Sequence, residues 1–150
     1  MMSIGTDRLD RMISGSHERS PCGEAMSLPL VSEYHAGYVK CIHPLDKRFS
    51  NSNGVLFGGY LSALLDDVSG HAAMTVIPDD KVCATSELAV SYFRPCLPDA
   101  GPLLLEGTVI NQSRRSYHIE VTVKRLDGKQ IAKAHAIHAI SDRSTSSGGY

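Results

Sequence analysis

The chain has 150 residues, with 15 Lys and Arg against 16 Asp and Glu, 42% hydrophobic and 21% charged residues. That length suits one domain able to bury a core without metal or disulfide staples, and the apolar share excludes a disordered chain. A formal net charge of -1 excludes a strongly basic nucleic-acid binder, and no run of about 18 apolar residues offers a membrane-spanning helix.

The N-terminus, Met1-Met2-Ser3-Ile4-Gly5, lacks the basic start and apolar stretch of a secretory signal. Cys22, Cys41, Cys83 and Cys96 form no CxxC pair, as expected of a reduced, cytoplasmic chain. Residues 1–27 read as irregular, with a short helix capped by Thr6 and running through Ile13; Gly15, Pro21 and Gly23 then break the pattern. Two short strands, 28–35 and 38–43, meet at Ala36-Gly37. A polar loop covers 45–56, with Asn51, Asn53 and Gly54 in it.

Residues 58–77 have helical periodicity, with Leu61, Leu64, Leu65, Val68 and Ala72 on one stripe. Pro78-Asp79-Asp80 ends that helix. Four strands follow: 85–93, 103–110, 117–124 and 131–140. In the third, Tyr117, Ile119, Val121 and Val123 alternate with polar residues, and Asp127-Gly128 makes a hairpin turn before the fourth. Residues 142–150 read as a flexible tail. The order β-β-α-β-β-β-β predicts an α+β fold, an antiparallel sheet packed on one long helix, with the domain spanning 28–141.

The helix carries the chemistry. Its second face is Gly59, Ser62, Ala63, Asp66, Ser69, Gly70 and Ala73, nearly all small, and it has no Lys, Arg or Glu. This predicts a helix largely buried all round, with Asp66 in the middle of the small face. A buried carboxylate is costly unless bonded, and desolvation raises its pKa toward that of a general base. Asp66 is therefore either a catalytic carboxylate or a structural one satisfied by Ser62, Ser69 or backbone donors. Asp67 lies about 100° further round, near Tyr60 and His71, and reads as structural. Gly58-Gly59 open the helix, where orphan N–H groups collect: an oxyanion hole, or simply a tight turn.

The run Asn51-x-x-Gly54-x-x-Phe57-Gly58-Gly59, with Asp66 seven residues on, resembles the hotdog-fold acyl-CoA thioesterases, most closely the PaaI-like (phenylacetate-pathway) branch. So does the strand end Tyr92-Phe93-Arg94-Pro95. The resemblance spans about 28–141. It implies a hotdog fold and hydrolysis of an acyl-CoA thioester to a carboxylic acid and free CoA, with no cofactor beyond the CoA of the substrate. It implies Asp66 as general base or nucleophile, the Gly58 N–H as oxyanion donor, Asn51 as an orienting loop residue, and Thr85 as the hydroxyl that steadies the attacking water. Phe57 stands where the family has histidine. Phe57, Gly59, Arg114 and Arg115 are the candidate substrate contacts. The two arginines, in a turn, are either solvated or matched to the phosphates of CoA.

Gly58 and Asp66 are eight residues apart, or ~12 Å along a helix. One thioester carbon cannot be served by both within one subunit. Two antiparallel helices packed through their small faces would bring Gly58 of one copy near Asp66 of another, which predicts a homodimer, or a dimer of dimers, with composite sites.

No metal site is expected. Cys41 and His43 share a strand face but are too few for zinc, and His135 and His138 fall on opposite faces. Ser69, His71 and Asp66 lack a nucleophile elbow, and Gly54 to Gly59 lacks the Lys of a P-loop. Two other readings stand beside the hydrolase: a non-catalytic hotdog protein that binds acyl-CoA or another apolar ligand, with Phe57 as its mark, and a hotdog hydratase or dehydratase, for which no histidine offers itself near Phe57. Tyr60, Phe57 and Tyr92 are either acyl-pocket lining or core.

Overall fold

The computed structural model describes residues 2–144. In chain order the elements are α1 (Ile4–Ser14), α2 (Pro21–Ala25), β1 (Glu33–His35), β2 (Tyr38–His43), α3 (Gly58–Met74), β3 (Lys81–Tyr92), β4 (Leu103–Gln112), β5 (Ser116–Arg125) and β6 (Gln130–Asp142), with one 3-10 turn at Lys47–Phe49. The six strands form one antiparallel sheet in the order β1-β2-β4-β5-β6-β3. The last strand is therefore inserted between β5 and β3. The sheet wraps α3, the α+β hotdog arrangement expected.

Binary pattern explains the core. Tyr117, Ile119, Val121 and Val123 of β5 are all buried. They meet Leu61, Leu64, Leu65, Val68 and Ala72 of α3 in the same cluster. On β6 the inward residues are Ala132, Ala134 and Ala136, so that strand can approach the helix closely. Gly107 does the same on β4: a Cβ there would lie 3.2 Å from Val68 O and from Ala72 Cβ.

Local details depart from the sequence reading. The N-terminal helix starts earlier, because Ser3 is its cap and Thr6 completes the reciprocal capping box. Leu9 and Met12 are buried in the main core. Pro21 opens α2, capped by Ser20, where a break was expected. The first strand is only Glu33–His35. α3 ends at Met74 because the Thr75 hydroxyl takes the Ala72 carbonyl at 2.7 Å and accepts Gly37 N–H at 2.8 Å. Of the expected tail, Asp142 belongs to β6 and Arg143 is hooked to Asp79 O and Lys81 O; residues 145–150 lie outside the described residues.

Candidate active site

α3 is not buried all round. Its leucine stripe is, and so are Ser69 and Ala73, but Gly59 is exposed and Ser62, Ala63, Asp66 and Gly70 are partly so. The small face is left open in the single chain. Asp66 is thus only partly buried, short of the full burial expected.

Its partner is Thr85, which the resemblance gave as a hydroxyl steadying water. Thr85 Oγ1 donates to Asp66 Oδ1 at 2.7 Å. Ser62 and Ser69 do not satisfy that carboxylate. The Ser69 hydroxyl donates to the Asp66 backbone carbonyl at 2.6 Å and meets His138 Nε2 at 2.8 Å. Having given its proton to the carbonyl, it accepts from Nε2–H, which fixes the His138 tautomer. His138 is buried, its Nδ1 has no hydrogen-bond partner among the described residues, and burial holds its pKa below the usual value. A chain Thr85–Asp66–Ser69–His138 thus ties α3 to two neighbouring strands, in which Thr85 and His138 are direct cross-strand partners. Sequence reading placed His138 on a strand face without a role. The available signal was a histidine in register with Ala132, Ala134 and Ala136.

The helix start is organised separately. The N-cap, Phe57, supplies no side-chain cap, so the first-turn N–H groups keep their orphan donors. Tyr92 Oη donates to Gly58 O at 2.8 Å and bonds Ser62 Oγ as well. Tyr92 and Thr85 are seven residues apart on one strand, an odd number, and would point to opposite faces of a regular strand. A bulge at Ser86, between Thr85 and Glu87, corrects the parity. One strand thereby reaches α3 at both Asp66 and Gly58. Beside Gly58, a cleft of about 290 Å3 is lined mainly by apolar residues, Leu56, Leu61, Tyr92, Phe93 and Pro95 among them, with Arg94 as its one charged residue.

Other expected residues fall as follows. Phe57 is 57% exposed and its ring lies over Gly59, where a Cβ would come within 2.5 Å of Phe57 Cε1. Asn51 Oδ1 accepts from Asn53 N–H at 2.9 Å and Val55 N–H at 3.4 Å, so its oxygen is spent on the loop and its amide N–H2 is what remains for a ligand. Arg114 and Arg115 are exposed in the β4–β5 turn. Arg115 precedes Tyr117 by two residues, and Tyr117 pairs with His138. That places the turn at the Thr85 end of the sheet. Tyr60 does not line the cleft beside Gly58: it is buried, stacked on Phe49 and bonded to His43 Nε2 at 3.1 Å. The structure joins Asp66 to Thr85 and Gly58 to Tyr92, but within one chain it does not join the two pairs.

Of the adjacent carboxylates it is Asp67 that is desolvated. Burial pushes its pKa up to about 6, against the pull of Arg8, with Asp66 adding repulsion. His71 Nδ1 is 3.6 Å from Asp67 Oδ2. This is not an ion pair, because burial and the Arg8 charge hold the His71 imidazole neutral, with its pKa down to about 3.

A sheet wrapped on one long helix, with a hydroxyl-bonded carboxylate at mid-helix and open N–H groups at its start, is a hotdog architecture. The chain belongs to the thioesterase superfamily, whose family model matches residues 53–132. A candidate esterase of Saccharolobus solfataricus is 34% identical over 91 residues, covering 61% of this chain and 63% of that relative, so the match spans less than two thirds of its length. A candidate thioesterase of Ralstonia eutropha JMP134, related to phenylacetic acid degradation, superposes with a TM-score of 0.76 at 25% identity, covering 88% of this chain and 98% of that one. A thioesterase-like protein of Streptococcus pneumoniae TIGR4, solved with coenzyme A, gives 0.71 at 20% identity, covering 81% and 92%.

Proposed function

We propose that the chain hydrolyses an acyl-CoA thioester to a carboxylic acid and free CoA. The observation that carries this reading is the Thr85–Asp66 hydrogen bond on the open small face of α3. Thr85 holds Oδ1, which leaves Oδ2 to take a proton from the attacking water, or to attack the carbonyl itself, breaking the C–S bond with departure of CoA thiolate and forming a mixed anhydride that water then opens. The thioester oxygen is received by the Gly58 N–H at the positive end of the helix dipole. Both functions meet on one substrate only when a second copy supplies the other half, and the open stripe Gly59, Ala63, Asp66 and Gly70 is the surface through which that copy packs. The acyl group enters the cleft beside Gly58, and Arg114 and Arg115 take phosphates of CoA. The coenzyme A held by the S. pneumoniae protein agrees with this substrate class.

The test is thiol release from aryl-, short- and long-chain acyl-CoAs by wild type and Asp66→Asn. Turnover should fall about a hundredfold or more, as for loss of a general base. Near wild-type turnover in a folded variant would remove Asp66 from the mechanism. A second reading is binding without hydrolysis. Phe57 favours it, since the exposed ring over Gly59 replaces an imidazole with a group that cannot hydrogen-bond. Acyl-CoA binding that survives Asp66→Asn, with no thiol released by either protein, would select that reading.

A further inference from the structure

A separate, polar cavity lies outside the family-matched region. Arg8 and Arg11 share one face of α1, three residues apart. The link to α2 adds Ser16, His17, Glu18, Arg19 and Ser20, and together these seven residues line an open cavity of about 570 Å3. Its lining thus has three guanidiniums against one carboxylate. Each guanidinium is held in a different way. Arg19 Nη1 donates to Gly23 O at 3.2 Å and Leu28 O at 2.6 Å, which fixes one arm of the fork. Arg11 Nη2 lies 3.1 Å from Asp7 Oδ2. Arg8 Nε is buried with no hydrogen-bond partner among the described residues, and behind it stand Asp67 and His71, which line an adjoining, water-sized cavity of about 20 Å3.

We infer that this cavity binds a phosphate group, either inorganic phosphate or a phosphomonoester. Three guanidiniums lining one open cavity, two from α1 and one from the link to α2, suit a tetrahedral anion with three or four oxygens better than a planar carboxylate with two. The Ser16 and Ser20 hydroxyls add short neutral donors. The cavity is larger than a bare phosphate and leaves room for the organic part of an ester. His17 reports the local field. Its pKa is lowered by burial and then by Arg8, Arg11 and Arg19, with Glu18 opposing. The site uses neither Asp66 nor Gly58, so it stands whether or not the chain cleaves thioesters.

The experiment is calorimetric titration of the full chain at low salt with inorganic phosphate, then with CoA and with dephospho-CoA, which lacks the 3′-phosphate. Phosphate should saturate the protein, more weakly at higher ionic strength. Arg11→Gln and Arg8→Gln should each weaken it by about tenfold, as for loss of one charge-assisted contact. The His17 ring, followed by NMR, should titrate about one pH unit higher with phosphate bound, because an anion favours the imidazolium. CoA binding more tightly than dephospho-CoA, with the same arginine dependence, assigns the cavity to the nucleotide end of CoA. Equal binding of those two, with arginine-dependent phosphate binding retained, assigns it to a separate phosphorylated ligand. Arg8→Gln removes a group beside Asp67, so its melting is compared with wild type. Arg11 is more than half exposed, and its variant keeps the test sound if Arg8→Gln is unstable. No saturable binding, or an affinity unchanged by both substitutions with His17 unmoved, overturns the inference.

Discussion

Asp67→Asn should make the protein more stable at neutral pH, and by an amount that depends on pH in a known direction. Asp67 holds its proton with a pKa of about 6 in the fold, against an ordinary value of 3.8. Between those values the native state binds more protons than the unfolded one. Its share of stability is therefore full below about pH 4 and is lost as pH rises through 6. The two pKa values differ by about 2, which corresponds to about 3 kcal/mol. With a quarter of the side chain still exposed, about 2 kcal/mol is the reasonable expectation. Asparagine has the same shape and no charge to desolvate, and it offers an N–H toward His71 Nδ1. The gain should be near zero at pH 4 and about 2 kcal/mol above pH 7, or about 4–8 °C in Tm for a domain of this size. The assay is urea unfolding of both proteins from pH 4 to 8. His43, whose burial lowers its pKa to about 4, gives the opposite slope in both proteins and cancels in the difference; an Asn N–H bonded to His71 Nδ1 would hold that imidazole neutral, as its burial already does. A variant less stable than wild type at pH 7.5, or a gain equally large at pH 4, would refute the reasoning.

Thr85→Val keeps the β-branched shape and removes the donor to Asp66; kcat for thiol release should fall about tenfold, with KM little changed. Tyr92→Phe loses the bonds to Gly58 O and Ser62, and thermal melting should report a loss of about 1 kcal/mol. Gly107→Ala forces a Cβ against Val68 O and Ala72 Cβ, each at 3.2 Å; urea denaturation should show a loss of about 1–2 kcal/mol.

The elements most legible in the sequence were those with the strictest periodicity. Tyr117 to Val123 and the leucine stripe of α3 could face only one way, because each has a single apolar side. The family resemblance singled out Asp66 and Thr85, the latter as a hydroxyl steadying water, but neither it nor the pattern showed the two bonded to each other. Local propensity was blind to the bulge at Ser86, since a register shift depends on the partner strand and not on the strand's own residues. The burial expected of Asp66 falls on Asp67 for a related reason. Burial of either carboxylate depends on what covers its side of α3, and α1 covers Asp67 through a long-range packing that no window of sequence contains. The arginine cavity was missed likewise: Arg8 and Arg19 look like ordinary surface residues until two short helices fold them toward one another.

The position of β6 bears on how the site comes into being. Asp66 and Thr85 leave the ribosome early, but among the described residues β3 pairs with β6 alone, the last of the six strands in chain order. A nascent chain that has reached β5 can already pair β2, β4 and β5 around α3. It has nothing against which to align the bulge that aims Thr85. Because contacts of high sequence separation form late, the carboxylate should acquire its hydroxyl partner, and the sheet its closure, in the same final event. A chain truncated before Gln130 would keep both residues and lose the register that brings them together.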